Sequence, residues 1–191
     1  ALDMIAPDYV FVAFDAGKHT FRHELYKDYK GGRKKAPDEL VPQFQMTRDY
    51  LDAYNVAWQQ INDIEADDII GSLSKAHPEC EINILSSDKD LLQIIDPTTS
   101  VWLMKKGLTD IQKMDEKTLM EEYGIIPKQI IDLKGLMGDS ADNIPGVEGI
   151  GEKTALSLLV KYDTLDNLYN HLDELTPKTK EKLLNDKESA F

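Results

Sequence analysis

An unbroken apolar run from Tyr9 to Phe14 (Tyr-Val-Phe-Val-Ala-Phe) stops at Asp15, followed by Ala16 and Gly17. A run without polar alternation predicts a buried parallel strand over 9–14. Its carboxylate then lies at the C-terminal end, the edge where open α/β sheets bind ligands. Pro37 and Asp38 open a predicted helix whose apolar positions Leu40, Phe44, Leu51 and Tyr54 keep helical spacing. Short strands follow at 57–60 and 81–86, with a helix over 65–76 between them. Strand, helix, strand recurs, so the class is α/β with a parallel sheet. From about residue 115 the pattern turns helical, with helices at 116–123, 127–137, 152–161, 164–172 and 178–185, and no low-complexity linker sets this part off. A helical subdomain packed on the sheet is expected.

At 191 residues with 41% hydrophobic composition, the chain can bury a real core. No apolar stretch approaches the roughly 20 residues of a membrane span, and the N-terminus lacks a signal-peptide pattern. Cys80 is the lone cysteine, which excludes an internal disulfide and a cysteine zinc cluster. A cytoplasmic chain without a membrane partner is therefore expected. The net charge of −13 argues against nucleic acid as partner when taken alone, but the average hides a segregation. Between Lys18 and Lys35 stand seven basic residues (Lys18, Arg22, Lys27, Lys30, Arg33, Lys34, Lys35) against Glu24 and Asp28, a balance of +5, and the remainder carries 15 basic and 33 acidic residues. Such a run is commonly only a solvated loop. Tyr26 and Tyr29, interleaved with the cations, favour nucleic acid, because aromatic faces stack on unpaired bases.

Eight carboxylates fall in four clusters: Asp15; Glu65, Asp67 and Asp68; Asp88 and Asp90; Asp139 and Asp142. Each marks the end of an apolar run or the start of a helix. Singly, each has an ordinary structural explanation: acidic residues suit a helix's first turn, and Asp88 reads as the N-cap of a helix carrying Leu91, Leu92 and Ile94. Glu65 and Asp68 lie three apart on one helical face with Asp67 in the same turn, more acid than capping requires. Gathered in one pocket, these groups would raise one another's pKa values unless cations joined them. Carboxylate oxygens suit hard Mg²⁺ or Mn²⁺, and two such ions about 4 Å apart can hold the attacking and leaving oxygens of a phosphodiester. The reading is a metal-dependent nuclease.

Between two predicted helices lies Gly138-Asp-Ser-Ala-Asp-Asn-Ile-Pro-Gly-Val-Glu-Gly-Ile-Gly-Glu-Lys-Thr-Ala155. Gly146, Gly149 and Gly151 permit a tight hairpin ending at a helix N-terminus. There, free backbone N–H groups can hold a phosphate and Lys153 adds charge.

With these residues in place, the chain resembles, over essentially its whole length, the 5′-nuclease domain of bacterial DNA polymerase I, within the flap-endonuclease superfamily. The resemblance rests on Phe14-Asp-Ala-Gly with Phe21-Arg-His-Glu and Tyr29-Lys-Gly-Gly-Arg33, on Glu65-Ala-Asp-Asp-Ile-Ile-Gly71, on Ser87-Asp-Lys-Asp-Leu-Leu-Gln93, and on Gly135-Leu-Met-Gly-Asp with Asp142 through Ala155. It implies a PIN-like parallel sheet flanked by helices over 1–112, and a helix–three-turn–helix subdomain over 113–191. It further implies that the eight carboxylates hold two Mg²⁺ or Mn²⁺ ions, with Asp15 and Asp68 near the reacting phosphate and Asp139 and Asp142 on the second-metal side. Lys30 and Arg22 would neutralise the scissile phosphate, Arg33 would hold a neighbouring phosphate, and Tyr29 would stack on a base. The hairpin residues Gly146, Gly149, Gly151, Lys153 and Thr154 would grip the duplex backbone, with room for a K⁺ ion on its carbonyls. The implied substrates are DNA with 5′ flaps or ends and RNA primers on DNA, and a covalently linked polymerase domain is compatible with the resemblance.

Two departures stand out. Ser87 occupies a position that is often Gly, a harmless exchange of small residues. Family members also begin with a strand bearing an Asp-Gly-Asn-type motif that supplies a metal ligand, whereas this sequence starts near Leu2-Asp3, and Asp3 lacks the surrounding motif. A fragment of a longer chain is expected. The alternatives are a catalytically impaired module that binds branched DNA without cutting it, and a PIN-like single-strand RNase, against which the hairpin counts.

Overall fold

The computed structural model describes residues 2–17, 19–107 and 110–191. Lys18, the first cation of the basic run, lies outside the described residues. Two compact units divide the chain, Ala1–His77 and Pro78–Phe191.

In the first unit a short helix α1 (Leu2–Ile5) precedes strand β1 (Phe11–Phe14), then come α2 (Phe21–Leu25), α3 (Val41–Ala53), β2 (Ala57–Gln60) and α4 (Ala66–Ala76). β1 and β2 pair in parallel, with Phe11 opposite Ala57 and Phe14 opposite Gln60. The predicted strand at 9–14 is thus shorter and only half-buried, with Phe11 exposed. A two-stranded sheet cannot enclose a core by itself. Among the described residues of this unit, the buried apolar side chains are Tyr29 and Ile69. The predicted helix after Pro37 begins at Val41, and Leu40, Phe44 and Tyr54 are exposed rather than core. Helical spacing set the period correctly, and of that apolar set Leu51 is half-buried where α3 packs on β2, while the other three stay exposed.

The second unit opens with β3 (Ile82–Ser86) and a 3₁₀ turn (Lys89–Ile94), followed by β4 (Thr99–Lys106), β5 (Asp110–Met114), α5 (Glu116–Tyr123), α6 (Gln129–Met137), α7 (Glu152–Tyr162), α8 (Leu165–Asn170), a 3₁₀ turn (Leu172–Glu174), α9 (Pro177–Asn185) and α10 (Lys187–Ala190). β3 pairs with β4 in parallel and β4 with β5 antiparallel. The β4–β5 hairpin is an addition to the expected elements. Its central Val-Trp-Leu-Met run reads as continuous apolar sequence, yet Val101 and Leu103 alternate inward to full burial. Trp102, facing the other way, donates its indole N–H to Asn83 at 2.7 Å.

The core of this unit is aliphatic: Leu92, Met114, Leu119, Ile125, Leu136, Leu159, Leu168 and Leu183 are fully buried. Buried polar ties set how its helices pack. Asp132 in α6 accepts the Leu165 N–H at the start of α8 (3.0 Å), and the Gln129 side chain donates to the carbonyl of Asp163 (2.5 Å). Each predicted helix from 116 onward is present within two or three residues of its expected ends.

Asp115 caps α5, accepting the Thr118 N–H at 2.8 Å. That backbone bond, with the Thr118 hydroxyl, holds the Asp115 carboxyl below the usual carboxylate range. Asp115→Ala should destabilise the second unit by about 1 kcal/mol at neutral pH, read as a lower Tm. Because the folded pKa is depressed, the stabilisation is complete above the ordinary carboxylate pKa and fades as pH falls through the lower folded value. The Tm gap between wild type and Asp115→Ala should therefore close in acid.

Candidate active site

Helix α4 starts in the middle of Glu65-Ala-Asp-Asp, and its capping decides where those carboxylates point. Glu65 is the N-cap residue, with extended backbone, and its N–H donates to Asp68 Oδ2 at 3.2 Å. Asp15, just past the end of β1, accepts the next free amide, Ala66 N–H, at 2.8 Å. Three carboxylates thus gather where the helix dipole and unpaired amides favour negative charge. Asp67, partly exposed, lies in the same first turn.

The basic run folds directly onto this cluster. Arg22 makes a two-pronged pair with Asp68, at 2.7 and 2.8 Å, and stands 3.7 Å from Glu65. Lys30 Nζ donates to Glu65 Oε1 at 2.8 Å, and the Tyr29 hydroxyl donates to Oε2 at 3.0 Å. The Thr20 hydroxyl reaches Oε1 at the long distance of 3.5 Å. Glu65 is 7% exposed, so a buried charge is met by donors on both oxygens. The Arg22 hydrogen bond, opposed by burial, holds the Asp68 carboxyl below the usual range, and Asp68 in turn pushes the Arg22 guanidinium well up. Lys30 takes a left-handed backbone (φ 56°), an uncommon state for a non-glycine residue.

Tyr29 departs from expectation. Its ring is 5% exposed and packs edge-on against His23 at 5.2 Å, so no face is open to a base in this conformation. The sequence showed an aromatic among cations, and only the fold turns its hydroxyl onto Glu65. Arg33, by contrast, is exposed beyond the strap's turn.

In the second unit, Asp88 caps the 3₁₀ turn as expected, accepting the Asp90 N–H at 2.8 Å. Asp139 follows α6 and pairs both ways with Ile144 through the backbone, at 2.8 Å each. One of its carboxylate oxygens accepts Ala141 N–H (2.8 Å) and Asp142 N–H (3.2 Å). Lys134, in the last turn of α6, stands between the two clusters, 2.5 Å from Asp90 Oδ1 and 2.6 Å from Asp139 Oδ2. Burial, with Asp88 and Asp139 nearby, pushes the Asp90 carboxyl up despite Lys134. For Asp139 burial works the same way, but Lys134 and the two amides outweigh it and the carboxyl lies below its usual value. Sequence reasoning missed Lys134. A lysine near a helix C-terminus reads as a partner of the helix dipole, and nothing in the chain signals a reach to Asp90.

Among the described residues, no three His, Cys, Asp or Glu side chains are already grouped to hold a metal ion. The donors nevertheless fit a hard divalent cation. They are carboxylate oxygens only, and Mg²⁺-type sites commonly use one or two carboxylates, completed by water and substrate phosphate. Asp90 and Asp139 already face one shared positive charge.

The glycine hairpin joins α6 to α7, and its glycines have unequal duties. Gly138 has φ 70°, and its backbone lies so close to Gly146 that a Cβ on either would collide with the other's main chain. Gly146 is therefore a packing contact rather than an open phosphate cradle. Gly149 is left-handed (φ 72°), and its carbonyl accepts Lys182 Nζ at 2.7 Å. Gly151 is the N-cap of α7 with open space around it, and Lys153 and Thr154 are exposed on the first turn of that helix. These last three are placed to present amides and charge to an anion.

Carboxylates at a helix start beneath a basic strap in the first unit, and a glycine hairpin between two helices in the second, mark an α/β protein whose acidic and basic groups suit metal and phosphate. The chain belongs to the 5′-3′ exonuclease family. The model of its N-terminal resolvase-like domain matches residues 1–124, and that of its C-terminal SAM fold matches residues 125–191. DNA polymerase I of Streptococcus pneumoniae strain R6 is 48% identical over 193 aligned residues, which cover 100% of this chain and 22% of that protein. A 5′-3′ exonuclease of Bacillus subtilis is 40% identical over 93% of this chain and 60% of its own length. The chain thus spans about a fifth of the polymerase relatives it matches. In fold it is similar to bacteriophage T5 5′-exonuclease with bound zinc, at TM-score 0.81 and 24% identity over 100% of this chain and 74% of that one. It also resembles the catalytic core of Rad2 in complex with DNA substrate, at TM-score 0.62 and 17% identity over 93% of this chain and 59% of that one.

Gly146→Ala should cost roughly 3 kcal/mol, the upper end of ordinary substitutions, because the backbone of Gly138 cannot give way. Gly151→Ala, with open space, should cost under about 1 kcal/mol. Denaturant unfolding of both variants checks the contrast.

Proposed function

We propose that this chain is a structure-specific 5′-nuclease, hydrolysing DNA phosphodiesters at 5′ flaps and ends and removing RNA primers paired to DNA, with two Mg²⁺ or Mn²⁺ ions. The observation that carries the proposal is the strap folded onto the carboxylates, with Arg22 and Lys30 within ion-pair reach of Asp68 and Glu65. Cleaving a polyanion needs both signs of charge in one place, carboxylates for the metals and cations for the phosphate. The bound ions would lower the pKa of a water and clamp the attacking and leaving oxygens. Asp15, Glu65, Asp67 and Asp68 would hold metal in the first unit, and Asp88, Asp90, Asp139 and Asp142 in the second.

The chain's own residues do the rest. Lys30 and Arg22 exchange their carboxylate partners for the scissile phosphate, whose charge grows in the transition state. Arg33 takes a neighbouring phosphate. Gly151, Lys153 and Thr154 grip the duplex backbone at the α7 N-terminus. A K⁺ ion at the hairpin would compete with Lys182 for the Gly149 carbonyl. Tyr29 stacks on a base only if it leaves Glu65. A cytoplasmic setting is part of this reading, and linkage to a polymerase domain would match the DNA polymerase I relatives, of which the chain spans about a fifth.

A 5′-end-labelled flap DNA, incubated with the chain and Mg²⁺ or Mn²⁺, should yield short labelled product that disappears with EDTA and in Asp68→Ala. Salt-sensitive binding of branched DNA without metal-dependent product would favour the non-cutting module instead. Lys30→Met should slow single-turnover cleavage by about 100-fold while changing Kd for the flap less than about threefold, since its contact strengthens in the transition state. Equal losses in the two would make Lys30 an ordinary phosphate contact.

A further inference from the structure

Lys134 occupies an unusual place for a lysine. Its stem leaves the last turn of α6 and its ammonium is half-buried between two carboxylates from different segments, Asp90 in the 3₁₀ turn after β3 and Asp139 in the loop after α6. The separations of 2.5 and 2.6 Å bring one positive charge to the midpoint of two acids. Hard divalent ions hold carboxylate oxygens at about 2.0 to 2.6 Å, nearly the same spacing. An ammonium and a metal ion therefore cannot share this point, by volume or by charge.

The match between lysine and site is also incomplete. Asp90 Oδ1 is buried and, although beside the ammonium, has no hydrogen-bond donor aligned on it. An ammonium has three donors in fixed directions, whereas a metal ion attracts oxygens from any direction. One positive charge also leaves the two carboxylates with a residual negative charge that a divalent ion would cancel. Four rotatable bonds and a side chain that is 30% exposed give Lys134 a way out to solvent.

We propose that Lys134 is a built-in stand-in for a divalent cation: it holds the Asp90–Asp139 pair together when metal is absent and must withdraw when metal binds there. This rests on the reading of these carboxylates as metal ligands. It makes Lys134 a competitor that weakens metal affinity in exchange for a preassembled, stable apo site. The two roles pull in opposite directions when the charge is removed, which an ordinary structural ion pair or a DNA-contacting lysine would not do.

The test measures Mn²⁺ binding without DNA, by loss of the free-ion electron paramagnetic resonance signal, and thermal unfolding in EDTA and in Mn²⁺. It uses the whole chain and its variants Lys134→Met, Lys134→Arg and Asp139→Asn. Lys134→Met should bind Mn²⁺ roughly tenfold tighter, melt lower than wild type in EDTA, and gain more Tm from Mn²⁺ than wild type gains. Lys134→Arg, whose planar fork clamps carboxylates more firmly, should bind Mn²⁺ more weakly. Unchanged or weaker Mn²⁺ binding in Lys134→Met overturns the proposal. If Lys134→Met does not fold in EDTA, Lys134→Arg decides, and wild-type affinity there overturns it. Asp139→Asn separates the two ideas: loss of one Mn²⁺ equivalent there with no change in Lys134→Met sinks only the stand-in. Wild-type binding in Asp139→Asn sinks the metal reading of this cluster and the stand-in with it.

Discussion

Carboxylates brought close together at a helix start or strand end must be met by positive charge, and the acidic cluster of each unit is arranged around that constraint. A buried ion without a partner costs several kcal/mol, so Glu65 at 7% exposure is tolerable only because Lys30 and Tyr29 donate to it. The same need fixes Arg22 on Asp68 and Lys134 between Asp90 and Asp139. The cations are part of how the acidic clusters fold, and under the proposed function they are the groups that would meet phosphate or give way to metal.

Local structure makes these pairings cheap. An N-cap faces its side chain and its neighbours' amides in one direction, so Glu65, Asp68 and Asp15 converge without any residue leaving a favourable backbone state. The strain falls on the partner: Lys30 accepts a left-handed backbone to bring its ammonium to Glu65. In the second unit the cost is carried by glycine. The contact between Gly138 and Gly146 closes the loop tightly enough to place Asp139 under Lys134, on the side of α6 that faces the 3₁₀ turn. The two units differ in what secures such placements, since the second has a large aliphatic core and the first has few buried apolar side chains among its described residues. Ion pairs and caps therefore carry more of the first unit's local order.

The amino-acid sequence by itself determined much of this. The periodicity of apolar residues located the helices from 116 onward and the strands at 57–60 and 81–86, because each pattern is local and matches one secondary-structure period. The four acidic clusters, the basic strap and the glycine hairpin were legible for the same reason: each is a dense local deviation from ordinary composition. Tertiary structure decided which charge meets which. That Tyr29 turns inward onto Glu65, that Leu40, Phe44 and Tyr54 stay exposed, that Gly146 packs against Gly138, and that Lys134 spans to Asp90 are facts about residues distant in sequence. A periodic pattern tells which face of an element is apolar and a cluster tells where charge is dense. Only the packing of elements sets the few ångströms between an ammonium and a carboxylate on which their electrostatic energy depends.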